Sequence, residues 1–262
     1  MTGLAGWLSD SLEMVRRNLL HIRRTPELLL DVTISPIMFV LLFSVVFGGA
    51  INVGGQGGAN ASYTNFLMAG IFVQTVTFAG VYTGVLLAND LQRGMIDRFR
   101  SLPMAQSSVL AGRTLTDLLR AALAVAIMWI VGMIVGFRPA GGVGGSAAAI
   151  GIILLFGFAV SWIGVAAGAA MRTPEALQGV VFTVVFPLTF VSSAFVPTQS
   201  LPDWLRPFAD NQPFTVVVNA VRDLVLGTHN YNAELPAILW SVGLLVVAFP
   251  LGFWLYNRRT TQ

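Results

Sequence analysis

The 262-residue chain is 55% hydrophobic and only 10% charged, whereas soluble globular domains carry about 25% charged residues. Its mean hydropathy is +0.76, and the apolar residues come in long unbroken runs, so the composition predicts a polytopic membrane protein. The net charge of +3 does not indicate a nucleic-acid partner, because the arginines lie at the predicted membrane edges and not on one face. The absence of cysteine excludes disulfides, iron–sulfur clusters and thiolate metal sites.

Six runs of roughly twenty mostly apolar residues predict six transmembrane helices in an all-α protein. They cover residues 28–50, 63–88, 110–137, 147–170, 177–196 and 235–256. Most arginines lie on one side of the predicted membrane: four before the first run, three in the second connection with Arg113 just after it, Arg172 in the fourth connection and two after the last run. The other side has three, which are Arg138, Arg206 and Arg222. The positive-inside rule therefore predicts a plasma or inner membrane protein whose N- and C-termini are both cytoplasmic.

Glycines recur four residues apart inside three of these spans: Gly80/Gly84, Gly132/Gly136 and Gly164/Gly168. Small residues at this spacing let helix backbones approach each other in lipid. The pattern predicts a tightly packed helix bundle.

Residues 4–26 predict an amphipathic helix in the cytoplasmic interface. Its apolar residues, from Leu8 to Ile22, recur at helical spacing between arginines and acidic residues, and Thr25-Pro26 ends it. An arginine-rich amphipathic helix beside a span lies in the headgroup region. A simple lipid anchor is an equally open interpretation.

Residues 89–103 (NDLQRGMIDRFRSLP) predict a second cytoplasmic amphipathic helix, which Pro103 closes. Leu91, Met95, Phe99 and Leu102 form an apolar stripe, and charged residues occupy the rest of the helix surface. This pattern favours docking into a groove on a cytoplasmic partner. A helix that rests on lipid headgroups is the alternative.

Residues 197–230 interrupt the apolar pattern on the predicted external side. Four prolines exclude a long helix at the start of the segment, and Trp204 with its apolar neighbours suits the headgroup region. Residues 215–226 have helical apolar spacing but reach only about 18 Å, which is too short to cross a membrane. The segment therefore predicts a re-entrant helical hairpin over an internal cavity, with a structured external loop as the alternative. The residues assigned to this external gate are Pro197, Pro202, Trp204, Pro213 and Arg222.

Two stretches carry a family resemblance. The stretch DLQRGMIDRFRSLPMAQSSVLAGRTLTDLLR contains Gly94, Leu102-Pro103, Gly112-Arg113 and Asp117, and LPDWLRPFADNQPFTVVVNAVRDLVLG contains Leu201-Pro202, Trp204-Leu205, Asn211, Pro213, Arg222 and Gly227. Together with the number and order of spans, they resemble the ABC-2 family of transporter membrane subunits, most closely the bacterial daunorubicin-resistance, drug-export type. The chain departs from the family pattern at Gln92 and Arg93, where acidic residues are frequent, and at Gln212, which separates Asn211 from Pro213.

The resemblance implies a single membrane domain over residues 1–262 that pairs with a second copy or a homologous permease above two cytoplasmic ATPase subunits. Helix 89–103 would be the coupling helix, with contacts from Asp90, Arg93, Gly94, Met95, Arg98, Phe99, Leu102 and Pro103. The chain contains no lysine, and a P-loop requires one. We therefore expect no catalytic residues, no metal site and no bound cofactor on this chain, with ATP and magnesium on the partner subunit and membrane lipids around the bundle.

Two aromatic stripes are the predicted substrate path. Span two carries Gln74, Phe78 and Tyr82, and span five carries Phe182, Phe186 and Phe190, with a kink expected at Pro187. The resemblance implies that these two spans face each other across the dimer. Such faces suit a flat amphipathic drug or lipid, although packing against lipid or neighbouring helices is the simpler explanation.

The predicted function is therefore export of an amphipathic drug or lipid-like molecule with ATP hydrolysed by a separate subunit. Export of a polysaccharide or glycolipid and ion-coupled secondary transport are the alternatives. An intramembrane enzyme is disfavoured because His21 and His229, the two histidines, lie outside the spans. Asp117 and Arg120, at the start of span three, are expected to pair with each other or to reach the headgroups.

Overall fold

The computed structural model describes residues 34, 37–43, 63–93, 106–171, 173–228 and 231–260, and of residues 106–111, 231, 232 and 260 it describes the backbone. Within these ranges the regular structure is entirely helical. Four helices are long and apolar enough to cross a membrane: α1 (Tyr63–Gln92), α2 (Gln106–Val135), α3 (Gly142–Ala170) and, numbered in chain order, α8 (Tyr231–Thr260). Between α3 and α8 lie the short helices α4 (Pro174–Val180), α5 (Phe186–Phe190), α6 (Arg206–Asn211) and α7 (Pro213–Leu226).

The four long helices confirm predicted spans two, three, four and six, with different ends. Helix α2 starts at Gln106 and α3 at Gly142, so each begins four or five residues before its predicted span. Of the first span, residues 37–43 are helical, and its remainder lies outside the described residues, as does predicted helix 4–26. The count of six spans stays a prediction.

The bounds predicted for span five, 177–196, are wrong. The apolar helical segment runs from Pro174 to Phe190, and it ends because Val191 leaves the helical region, with φ −83° and ψ 50°. Thr173 caps its start by accepting a hydrogen bond from the Ala176 N–H at 3.3 Å, and Pro174 occupies the first helical position, where no N–H is needed. The distortion expected at Pro187 takes the form of a π turn over Val181–Val185, immediately before it.

Helix α3 is the centre of the bundle, since α1 and α8 both pack along it and α2 and α7 also contact it. A Cβ atom added to Gly84 would overlap the backbone of Gly164, and one added to Gly168 would overlap that of Gly84. The α1–α3 interface is therefore a direct backbone contact, as the glycine spacing predicted for Gly80/Gly84 and Gly164/Gly168. The prediction is wrong at Gly136, which has φ +112° and open space around it and forms the turn after α2.

Helix α7 is inserted among the long helices, against α1, α3 and α8. Val217, Val221 and Val225 on its apolar face are fully buried. It ends at Gly227, whose left-handed conformation, with φ 71°, is the usual helix terminator. The N–H groups of Ala140 and Gly141 donate to the Val225 carbonyl at 2.8 and 2.9 Å, so the α2–α3 loop and the end of α7 lie at the same end of the bundle.

Candidate functional site

A cavity of about 600 Å³ lies between α1, Arg120 on α2, Phe39 and the segment from α4 to α5. Five of the six predicted path residues line it: Gln74, Phe78, Tyr82, Phe182 and Phe186. The structure thus brings the two aromatic stripes together within one subunit. The remaining described lining residues, which the sequence analysis did not assign to a path, are Phe39, Ile71, Thr75, Ala79, Val85, Arg120, Gln178 and Val181.

Helical spacing explains the wall that α1 presents. Gln74, Phe78 and Tyr82 are four residues apart and therefore share one face. The Phe78 ring meets the Phe186 ring edge-on, with centroids 6.5 Å apart. The Thr75 hydroxyl donates to the Ile71 carbonyl at 2.8 Å and is satisfied within the helix, so Gln74 supplies the main polar group on this wall.

The sixth predicted path residue, Phe190, lies outside the described lining. Its ring packs on Phe186, with centroids 4.7 Å apart, and on Phe195, with centroids 5.0 Å apart. For Phe190, packing against neighbouring rings explains the aromatic side chain better than direct contact with a substrate does.

One end of the cavity adjoins a group of charged residues on α1 and α2. Arg120 and Asp117 form the expected pair, at 3.7 Å, and both are largely buried. Arg113 makes a shorter ion pair with Asp90, at 2.6 Å. This second pair was not predicted, because it joins residues 23 positions apart whose proximity depends on how α1 and α2 pack.

Asp90 and Arg93 are the coupling residues that the described part of the chain includes. Asp90 lies in the last turn of α1, where its carboxylate holds α2 through Arg113. The other assigned coupling residues lie outside the described residues, and their role stays a prediction: Gly94, Met95, Arg98, Phe99, Leu102 and Pro103.

The predicted external gate contains a buried arginine. The side chain of Arg222 on α7 is 3% exposed and donates to the Ser193 carbonyl at 2.5 Å and to Asn219 Oδ1 at 2.8 Å. Its guanidinium carbon lies 3.6 Å from the centroid of the Phe66 ring on α1.

Arg222 and its neighbours hold the irregular backbone that follows α5. Ser193 contacts α7 twice: its N–H donates to Thr215 Oγ1 at 3.3 Å, and its hydroxyl donates to Asn219 Oδ1 at 2.7 Å. The Gln212 side-chain amide donates to the carbonyls of Leu188 and Val191. The Tyr63 hydroxyl donates to the Phe195 carbonyl at 3.2 Å. Non-helical backbone is tolerated at membrane depth only when protein satisfies its polar groups, and these contacts meet that requirement.

The other assigned gate residues lie along the connection around α6. Pro197 precedes the short 3₁₀ turn Thr198–Ser200, and Pro213 starts α7. Pro202 lies between that turn and α6. Trp204 is 78% exposed, as expected for a side chain in contact with headgroups. Whether these residues act as a gate stays a prediction.

Four long apolar helices define a polytopic α-helical membrane protein. Residues 11–226 match the model of the ABC-2 type transporter family. The chain therefore belongs to the ABC-2 family, as the sequence resemblance indicated.

Two relatives are permease subunits of ABC transporters. The daunorubicin resistance ABC transporter permease protein DrrB1 of Streptomyces coeruleorubidus is 34% identical over 255 residues, which cover 97% of this chain and 88% of the relative. The doxorubicin resistance ABC transporter permease protein DrrB of Mycobacterium tuberculosis is 25% identical over 222 residues, which cover 81% of this chain and 77% of the relative. The similarity extends over nearly the whole chain, so the family assignment does not depend on one motif.

Proposed function

We propose that the chain is the permease subunit of an ATP-driven exporter that moves an amphipathic, drug-like or lipid-like molecule out of the cytoplasm or the inner leaflet. The observation that carries the proposal is the cavity between α1 and the α4–α5 segment, where five predicted path residues meet in a member of the ABC-2 family. The cavity volume of about 600 Å³ lies in the range of small-molecule sites.

The lining favours an amphipathic cargo over a sugar polymer. Phenylalanine and tyrosine rings with aliphatic side chains form most of the wall, and the amides of Gln74 and Gln178 with the Arg120 guanidinium supply its main polar groups. A polysaccharide carries hydroxyl groups on every unit and would leave many of them unpaired against these rings. A flat, largely apolar molecule buries its surface there without that cost. The relatives named for daunorubicin and doxorubicin resistance support the same class of cargo.

A separate polypeptide supplies the energy in this proposal. Two copies of a cytoplasmic ATPase bind ATP and magnesium beneath a pair of permeases, which are either two copies of this chain or this chain and a homologue. The N- and C-termini lie in the cytoplasm. Helix 89–103 docks on the ATPase, and the Asp90–Arg113 ion pair at 2.6 Å supports transfer of its motion to α1 and α2.

On the external side of the membrane, α7 and the backbone at Val191–Val196 close the cavity until ATP binding changes the packing around them. The hydrogen bonds of Arg222 and Gln212 to that backbone support this role. The cavity then opens to the exterior and releases its cargo. Alternating access of this kind needs no chemistry on the permease itself.

The test is ATP-dependent accumulation of fluorescent amphipaths in inside-out vesicles that contain the chain and its ATPase. We expect accumulation to require ATP and the ATPase, and we expect the double substitution F99D/L102D to abolish it without preventing membrane insertion. Val143→Asp, at a position that is 89% exposed near the start of α3, outside the docking helix, the gate segment and the described cavity lining, is the control and should transport normally. Full ATP-driven transport by F99D/L102D would reject the docking role, and transport that a proton or sodium gradient drives without ATP would reject the exporter.

A further inference from the structure

Arg120 is the one charged side chain among the described residues that line the cavity. The rest of the described lining is uncharged and consists mainly of rings and aliphatic side chains. The sequence predicted that Arg120 pairs with Asp117 or reaches the headgroups, and the proposed transport mechanism gives it no role. A buried cation beside an apolar cavity therefore needs its own explanation.

Arg120 lies towards one end of the cavity. The Asp90–Arg113 contact fixes the register of α1 and α2, and Arg120 follows Arg113 by seven residues, or about 10 Å along the helix. This places it near the level of Tyr82 on α1, whereas Gln74 is eight residues, or about 12 Å, further along. The cavity thus has a cationic end and a longer neutral portion lined by rings.

Asp117 offsets the charge of Arg120, but the neighbouring carboxylates do not occupy all of its N–H donors. Asp90 pairs with Arg113 and lies outside the cavity lining. Asp117 contacts Arg120 at 3.7 Å, which is well beyond the 2.7–2.9 Å typical of a charge-assisted hydrogen bond. A guanidinium has five N–H donors, so this loose pair leaves donors of Arg120 for a ligand. The Arg120 side chain is 13% exposed, and a charge shielded from water interacts more strongly with a counter-charge.

We propose that the cavity selects amphipaths with an anionic group, a carboxylate or a phosphate, which Arg120 binds while the apolar body lies along the rings. Both groups match the forked geometry of a guanidinium. The inference rests on the proposed function for the transport step, but binding is measurable on the purified chain without the ATPase. The anion comes either from a free amphipathic acid or from an acidic membrane lipid.

The test measures binding of three probes to the chain in phosphatidylcholine nanodiscs: dansyl-aminoundecanoic acid, its uncharged methyl ester, and daunorubicin as a cation. We expect the acid to bind about tenfold more tightly than the ester, since a hydrogen bond to a charged group is worth this much or more, and daunorubicin to bind no better than the ester. Arg120→Gln should remove the preference for the acid, and Arg120→Lys should keep part of it. Arg206→Gln removes an exposed arginine outside the cavity and should leave the preference unchanged.

Nanodiscs that also contain phosphatidylglycerol separate the two sources of the anion. If an acidic lipid occupies the site, phosphatidylglycerol weakens binding of the acid probe to the unmodified chain and has less effect on R120Q. If the ligand is a free acid, both proteins respond equally.

Equal binding of acid and ester to the unmodified chain would overturn the proposal, and that comparison needs no variant to fold. An undiminished preference in correctly folded R120Q would overturn it as well. Intact acid selectivity without any ATP-driven transport would instead count against the proposed function alone.

Discussion

At the scale of single residues, Arg222 carries the largest share of the polar contacts that we describe around α7. It satisfies the carbonyl of Ser193, which belongs to the irregular backbone after α5, and it covers the Phe66 ring on α1. A charged donor in this position joins three parts of the chain that are distant in sequence. Its removal takes the donor from the buried Ser193 carbonyl and one of two donors from Asn219 Oδ1.

We therefore expect Arg222→Gln to lower the free energy of unfolding by about 3 kcal/mol, the sum of roughly two hydrogen bonds from a charged donor. The measurement is thermal unfolding in detergent followed by tryptophan fluorescence. The matched control is Arg206→Gln on α6, whose ion pair with Asp210 is exposed and 3.8 Å long, and which should cost less than about 1 kcal/mol. Similar losses from the two substitutions would mean that the contacts of Arg222 add little to stability.

At the scale of helices, the α1–α3 interface depends on glycines that allow backbone contact. We expect Gly84→Ala to destabilise the bundle by about 1–3 kcal/mol, because its methyl group would overlap the Gly164 carbonyl oxygen and push the helices apart. Gly151→Ala on α3, where a Cβ atom meets nothing within 4 Å, should be neutral or should stabilise the helix by up to about 1 kcal/mol. Thermal melts of both variants check this, and equal stability of the two would contradict the packing described here.

The Asp90–Arg113 ion pair should contribute a measurable coupling between α1 and α2. In a double-mutant cycle with D90N, R113Q and the combined variant, we expect the combined loss to be smaller than the sum of the single losses by about 1 kcal/mol. The estimate is modest because the Asp90 side chain is 32% exposed and exposed pairs contribute little. Additive losses would show that the two side chains do not stabilise each other.

Sequence patterns were sufficient to predict the helices whose residues are uniformly apolar and the segment that prolines interrupt. Long apolar runs identified α1, α2, α3 and α8, and the prolines after Val196 marked the short helices around α6. The end of the predicted fifth span was wrong because Val191 to Val196 are apolar or small and resemble a continuing helix. Hydrogen bonds from residues distant in sequence, among them Gln212 and Arg222 some twenty to thirty residues away, stabilise the break in the helix.

The cavity was predicted only in part, because it also depends on contacts between residues distant in sequence. Spacing identified the ring-bearing faces of α1 and the α4–α5 segment, since i, i+4 positions share a face in any helix. It did not place Arg120 in the lining, because an arginine three residues after an aspartate pairs locally in most settings. Whether Arg120 faces the cavity depends on how α2 is rotated against α1, and long-range packing sets that rotation.

At the scale of the whole molecule, large apolar faces of the long helices are exposed. Ile134 on α2 and Val246 and Val247 on α8 are among the exposed side chains, and contact with lipid or with a second permease would cover them. The cavity lies on the other face of α1 from the α3 contact, against the shorter α4–α5 segment. A movement of α1 relative to the α4–α5 segment would therefore change access to the cavity without breaking the α1–α3 contact.

Accessibility of the cavity during ATP binding tests this account most directly, and the absence of cysteine from the chain makes single-cysteine labelling straightforward. Phe182→Cys places a thiol in the cavity wall, and Val143→Cys, at a position that is 89% exposed near the start of α3, is the control. We predict that maleimide labelling at position 182, in a complex with the ATPase, slows severalfold with a bound amphipath and changes again when ATP is trapped, while labelling at position 143 stays constant. Labelling rates at position 182 that respond neither to amphipath nor to ATP would contradict the assignment of this cavity as the path of an ATP-driven exporter.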